Sequence, residues 1–136
     1  MDRNLQILGI TNKAGMLAVG CDAVSTAAAN GKAKLILSAS DASDGTRRRA
    51  RTNAKNCCVY YIDTPFTKDD FGSVTRRGSP VTLAILDMGL AARFVKGMAE
   101  TYPARYDDEA EQLAEQARKL KEKKKQTTSA KRRAAQ

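Results

Sequence analysis

At 136 residues with 42% hydrophobic content, the chain has the size and composition of one compact domain around one core, not two. Its 24 basic and 15 acidic residues give a formal charge of +9 and a pI near 9.7, which points to a polyanionic partner without choosing among ribosomal, RNA and DNA ones. Histidine is absent and the three cysteines, Cys21, Cys57 and Cys58, lack paired spacing. That excludes histidine-based triads, speaks for a reducing compartment over a disulfide framework, and leaves too few ligands for a structural zinc site unless subunits share one.

The amino-terminal segment has no long apolar run, so neither a signal peptide nor a membrane span of about 20 residues is expected, and the chain reads as cytoplasmic. Leu5, Ile7, Leu8 and Ile10 have helical spacing, closed by Asn12-Lys13-Ala14-Gly15. Met16–Val19 is a short apolar strand. Gly20 then leads an alanine-rich helix with Asp22 as its expected cap and Ala23, Val24, Ala27 and Ala28 as a small-residue packing face; Gly31 ends it. Leu35-Ile36-Leu37 is a buried strand. Ser43 or Asp44 starts a helix that runs through Arg47, Arg48, Arg49 and Arg51 to Lys55.

Cys57–Ile62 reads as the next strand, with the two cysteines pointing to opposite faces and Pro65 ending it. Thr67, three residues before Asp70, has the spacing of a capped helix start. Arg76–Pro80 is a loop and Val81–Leu86 another strand. From about Met88 to Glu100 a helix carries Leu90, Phe94, Val95 and Met98 on one face. Strands alternating with helices imply an α/β fold, a three-layer α/β/α sandwich on a small mixed sheet.

Tyr102-Pro103 marks the expected end of that domain, residues 1–100, because proline disfavours helical geometry in the residue before it. Residues 101–136 read as a charged extension: a solvated helix over Asp107–Lys125, acidic early and basic late as its dipole favours, then a disordered Gln126–Gln136 tail. Arg118–Gln136 holds nine basic residues and one acid, +8 of the total +9, so the body is nearly neutral. Binding by the body must therefore rest on local patches.

Catalytic signatures are lacking. There is no Gly-x-Ser-x-Gly, Walker loop or Gly-x-Gly-x-x-Gly, and the aspartates sit where caps and turns need them. No enzyme activity and no cofactor are expected. Nor does any stretch interleave aromatic and basic residues, which disfavours stacking on single strands.

Leu8–Gly15, Val19-Gly20, Gly31–Leu37 and Ser40-Asp41-Ala42-Ser43 resemble the bacterial YlxQ-type branch of the kink-turn-binding ribosomal protein superfamily. Phe66–Gly72 and Leu86–Ala91 follow in the same order, so the resemblance spans about Asn4 to Lys96. It implies a sandwich that binds structured RNA, ribosomal RNA among its candidates, without catalysis. It also implies ribosome or transcription/translation factor contacts, while the lack of a long apolar run leaves no membrane partner expected.

The RNA surface implied by that family is the turn and amino terminus of the second helix, here Gly20, Cys21, Asp22, Ala23 and Thr26, with the loop before the last strand, here Thr75–Val81 including Arg76, Arg77 and Gly78. Lys13, Lys32 and Lys34 near the glycine turns are further candidates for phosphate contact, and Arg47, Arg48, Arg49 and Arg51, of which at most two or three share a helix face, read either as a basic patch or as a solvated surface. Gly20 serves equally as a simple turn residue. Where family members carry Asn-Glu-x-x-Lys, this chain has Asp22-Ala23-Val24-Ser25-Thr26. An amide donor has become an anion, an acceptor for base amino groups is gone, and a cation is gone. General RNA affinity is expected to outlast that change better than kink-turn specificity. The rival expectation is a protein-interaction module on the same sandwich.

Overall fold

The computed structural model describes residues 3–106 and 108–119. In chain order these form α1 (Arg3–Lys13), β1 (Leu17–Val19), α2 (Cys21–Ala29), β2 (Leu35–Ser38), α3 (Asp44–Asn56), β3 (Tyr60–Asp63), α4 (Lys68–Thr75), β4 (Thr82–Ile85) and α5 (Met88–Thr101). Residues 103–106 and 108–119 are also helical. The four strands lie in the order β1-β4-β2-β3; β4 is antiparallel to both neighbours and β2 and β3 are parallel. The expected α/β/α sandwich with a mixed sheet is the observed fold.

Strand alternation divides the core into two unlike halves. Leu17, Leu35, Leu37, Ile62, Leu83 and Ile85 point to one face and pack with Leu8, Phe71, Phe94, Val95 and Met98 from α1, α4 and α5. The other face presents Ile36 and Ala84 to Val24, Ala27, Ala28, Ala50 and Ala54, so α2 and α3 approach the sheet through small side chains. Both helices can then run close together with a shallow groove between them.

Three helix starts are capped as their sequences dictate. Ser43 accepts from the Thr46 N–H, Asp87 from the Leu90 N–H, and Thr67 and Asp70 form a reciprocal capping box. Asp22, expected to cap α2, does not: the residue in that position is Gly20, at φ 95°, and no side chain bonds the first turn. Asp22 lies inside the helix, where its carboxylate only favours the positive end of the dipole.

The expected strand from Cys57 is shorter, Tyr60–Asp63, because α3 continues to Asn56 and closes in a Schellman turn. The Cys58 N–H bonds the Lys55 carbonyl and the Val59 N–H bonds the Ala54 carbonyl, with Cys58 left-handed at φ 56°. Gly31 closes α2 with the same pair of bonds, to Ala28 and Ala27. A cysteine where glycine is usual hides this stop from a reading of residue types.

The helix over 108–119 is not a free appendage. Leu113 is fully buried and Tyr106 nearly so, both within the larger half of the core, with Ala110 packed against it. The remaining parts of the expected extension, at residue 107 and over 120–136, lie outside the described residues.

Tyr106 donates its hydroxyl hydrogen to the carbonyl of Asp63, tying this segment to the end of β3. Burial pushes its phenol pKa up from the ordinary value. A raised native value favours the protonated phenol, so the associated stability is complete below the unfolded tyrosine pKa of about 10 and is lost as pH rises through the folded value. Tyr106→Phe is therefore expected to cost about 1 kcal/mol near neutrality, with the gap to the unaltered protein narrowing in melts above about pH 10.

Candidate nucleic-acid interface

The carboxyl ends of β1, β2 and β3 and the start of β4 lie at one end of the sheet, since Val19 pairs with Leu83 and Ser38 pairs with both Thr82 and Asp63. The amino termini of α2, α3 and α4 follow those strand ends. At this end the Gly20 N–H bonds the Thr82 carbonyl at 3.0 Å and the Cys21 thiol donates to the Thr82 hydroxyl at 3.5 Å. Val81, whose carbonyl accepts from the Ala39 N–H, is thereby set beside the start of α2.

Gly20, Cys21, Asp22 and Val81 thus come together, and Thr26 is one turn along α2 from Asp22 on its exposed side. The first amide to bond back within α2 is that of Val24, to Gly20. The N–H groups of Cys21, Asp22 and Ala23 have no helical acceptor and no side-chain cap. Of α2 to α5, this is the one start without a capping side chain.

Arg76 and Arg77 are exposed on the same loop but at its other end. Arg76 caps the carboxyl terminus of α4 in a left-handed conformation, next to Thr75, whose carbonyl accepts from the Asn12 side chain at 3.4 Å. Lys13 follows Asn12, so Lys13, Arg76 and Arg77 form one basic flank. From there the loop turns at Gly78 and runs back along α4. Gly78 lies against Gly72, and the Ser79 hydroxyl donates to Asp69 at 3.3 Å.

Lys32 and Lys34 are at the opposite end of α2 and of the sheet. The Lys34 N–H bonds the Ile85 carbonyl, a strand's length, about 10 Å, from Thr82. Its ammonium group reaches the Gly31 carbonyl at 3.2 Å. The structure does not gather these two lysines with the α2 start.

One cation beside α2 comes from the arginine run of α3, whose residues the sequence leaves open as a basic patch or a solvated helix face. Arg49 and Asn53 of α3 line a groove of about 170 Å³ together with Cys21, Asp22, Ser25 and Thr46. Asn53 donates to Ser25 at 3.2 Å and so fixes the groove's far wall. The signal was available in the spacing: Ala50 and Ala54 mark the inward side of α3, and Arg49 and Asn53 precede each by one residue, on the shoulder toward α2.

Solved structures share this architecture. A protein of unknown function from Bacillus halodurans aligns with a TM-score of 0.66 at 20% identity, over 71% of this chain and 97% of its own. A Giardia lamblia 15.5kD RNA binding protein aligns with a TM-score of 0.57 at 16% identity, over 71% of this chain and 82% of its own. At these identities the likeness is one of fold. No protein-family model matches the chain, and no curated protein does.

The surface at this end is chemically mixed. Three free amides and Arg49 favour an anion, whereas the exposed Asp22 carboxylate opposes one at close range. It can accept a phosphate at the helix start only by bringing that phosphate near Asp22. No described helix is long and apolar enough to cross a membrane.

Proposed function

We propose that this chain is a non-catalytic, cytoplasmic protein that binds structured RNA in a ribosome- or translation-associated setting. Its interface runs from the uncapped start of α2, along the Arg76–Val81 loop, to the Lys13, Arg76 and Arg77 flank. The observation that carries this reading is the uncapped, glycine-led start of α2, held against Thr82 next to that loop. Glycine allows close approach of a backbone, the free amides offer donors to phosphate oxygens, and A-form grooves are recognised largely by shape and phosphate contacts. The fold shared with a Giardia protein described as RNA-binding supports the same class of ligand. Membership of the kink-turn-binding superfamily, in its YlxQ-type branch, agrees with the resemblance in sequence.

The exposed carboxylate of Asp22 supports a second reading, in which the same surface contacts a protein. Two substitutions separate the readings when structured RNA is titrated at several salt concentrations. Replacing Arg76 and Arg77 together by glutamine is expected to weaken binding and make the salt dependence shallower, by about 0.7–0.9 in slope for each phosphate that is no longer neutralised. Asp22→Asn, by removing a charge facing phosphate, is expected to tighten binding roughly fivefold. If neither substitution alters the titration, this surface does not hold the RNA and the protein-contact reading gains.

A further inference from the structure

A second concave surface lies outside this interface, at the open edge of β3. It is assembled from three separate stretches of chain: Arg51 from α3, Tyr61 and Asp63 from β3, and Arg105, Tyr106 and Glu109 from the carboxyl-terminal segment. The cavity measures about 230 Å³. β3 is the last strand of the sheet on this side, so the cavity wraps the strand edge. Tyr61 enters from the face that packs on α3, and Tyr106 from the other face.

The two arginines are held in similar ways. The Arg51 guanidinium lies 5.9 Å from the centre of the Tyr61 ring, and that of Arg105 lies 5.3 Å from the centre of the Tyr106 ring. Among the described residues the ion pairs involve Arg47, Arg118 and Lys119, so neither Arg51 nor Arg105 is neutralised by a carboxylate there. Among the described residues, both are thus left to an outside anion. The two acids in the cavity differ. Asp63 already accepts the Tyr61 hydroxyl at 2.6 Å, which fixes the ring. Glu109 stands on the rim. Tyr106 is buried and anchors Arg105, whereas Tyr61 is half-buried and keeps part of its ring in the cavity.

An aromatic surface fixed by a hydrogen bond and flanked by two guanidinium groups that pair with no carboxylate among the described residues is the combination that receives an unpaired nucleotide, the base against the ring and the phosphate on the arginines. An extended peptide adding to the β3 edge fits less well, because the Tyr106 hydroxyl already occupies the Asp63 carbonyl at the end of that strand. α3 joins the two surfaces: Arg49 lines the groove beside α2 and Arg51 the cavity at β3. Resting on the RNA-binding reading above, we propose that the β3 edge is a subsite for one unpaired ribonucleotide flanking the structured RNA held at α2.

The test uses the full chain with ring-labelled tyrosine and three probes: a blunt RNA hairpin, the same hairpin with a short unpaired extension, and a nucleoside 5′-monophosphate. The extended hairpin is expected to bind roughly tenfold more tightly than the blunt one and to shift the Tyr61 ring signals, which the blunt hairpin leaves in place. Arg51→Gln with Arg105→Gln, or Tyr61→Leu, should erase that advantage and leave blunt-hairpin affinity unchanged; Tyr61→Phe, which keeps the ring but loses its bond to Asp63, should retain part of it.

A Tyr61 shift with the monophosphate alone, and no advantage for the extended hairpin, would make the cavity a free-nucleotide site and overturn the subsite. Equal affinity for the two hairpins, or equal losses for both in the Arg51 and Arg105 variant, would overturn it too. In each of those cases, a loss of both hairpins in the Arg76 and Arg77 variant would leave the α2 interface standing.

Discussion

Replacing Gly72 by alanine is expected to lower stability by about 2 kcal/mol and to weaken RNA binding in the same variant. In a helix interior such a change ordinarily gains about 1 kcal/mol, because alanine is the better helix former. Here a Cβ on Gly72 would clash with the Gly78 carbonyl oxygen and lie 3.3 Å from its carbon. Those are backbone atoms of the very loop that carries Arg76 and Arg77, and they cannot turn aside as a side-chain tip would. The loop must lift from α4, which loosens the Ser79 to Asp69 bond and displaces the basic flank from its register with Val81 and α2. Thermal melts and the salt titration of the same protein check both halves. Gly45→Ala is the control, since its Cβ would meet nothing and it lies in the first turn of α3; it should be neutral or stabilising. A Gly72→Ala protein that melts and binds like the unaltered chain would mean that the loop does not rest on α4.

Sequence patterns located the elements wherever residue type and geometry agree. Leu35-Ile36-Leu37 can be read as a buried strand, and Thr67 with Asp70 as a helix start, because few other arrangements suit them. Gly31 signals a stop because a left-handed residue is needed there. Cys58 occupies the equivalent position after α3 without glycine's signature, so the strand expected from Cys57 begins only at Tyr60. At α2 the preference of aspartate for caps pointed to Asp22, yet the bond from Gly20 to Thr82 places the cap position at Gly20. That bond joins residues 62 positions apart, beyond the reach of any local rule.

The candidate surfaces were legible to a similar degree. The glycine-led start of α2 and the Arg76–Val81 loop could be named from their residues, but their meeting depends on β1 pairing with β4. Lys32 and Lys34 resemble Lys13 in standing near a glycine turn, and only the sheet shows that they stand at its opposite end. No stretch of sequence interleaves aromatic and basic residues, because the cluster at the β3 edge takes Arg51, Tyr61 and Arg105 from three elements. A linear pattern cannot register a patch built across a strand edge.

Leu113→Ala is expected to cost about 3 kcal/mol, in the range for a leucine whose removal leaves a cavity in a close-packed core. The composition of this segment, rich in Glu, Gln, Lys and Arg, reads as a solvated helix because so few of its residues are apolar. Two suffice to dock it, however: Leu113 is 0% exposed and Tyr106 2%, and both belong to the same cluster as Phe94 and Met98. The helix is therefore held by tertiary packing, since propensity alone leaves a helix of this length marginal.

This alters the choice of truncation. A chain ended after Tyr102 would lose both anchors and expose the core, confounding any change in RNA affinity with unfolding. Ended after Lys119, it keeps both anchors and sheds residues 120–136, which hold seven basic residues and one acid. Calorimetric melts are expected to place the Lys119 truncation close to the full chain and the Tyr102 truncation well below it, with Leu113→Ala between. If Leu113→Ala and the Tyr102 truncation both melt like the full chain, the carboxyl-terminal helix contributes nothing to the core. The Arg105 wall of the β3 cavity would then lose its support as well.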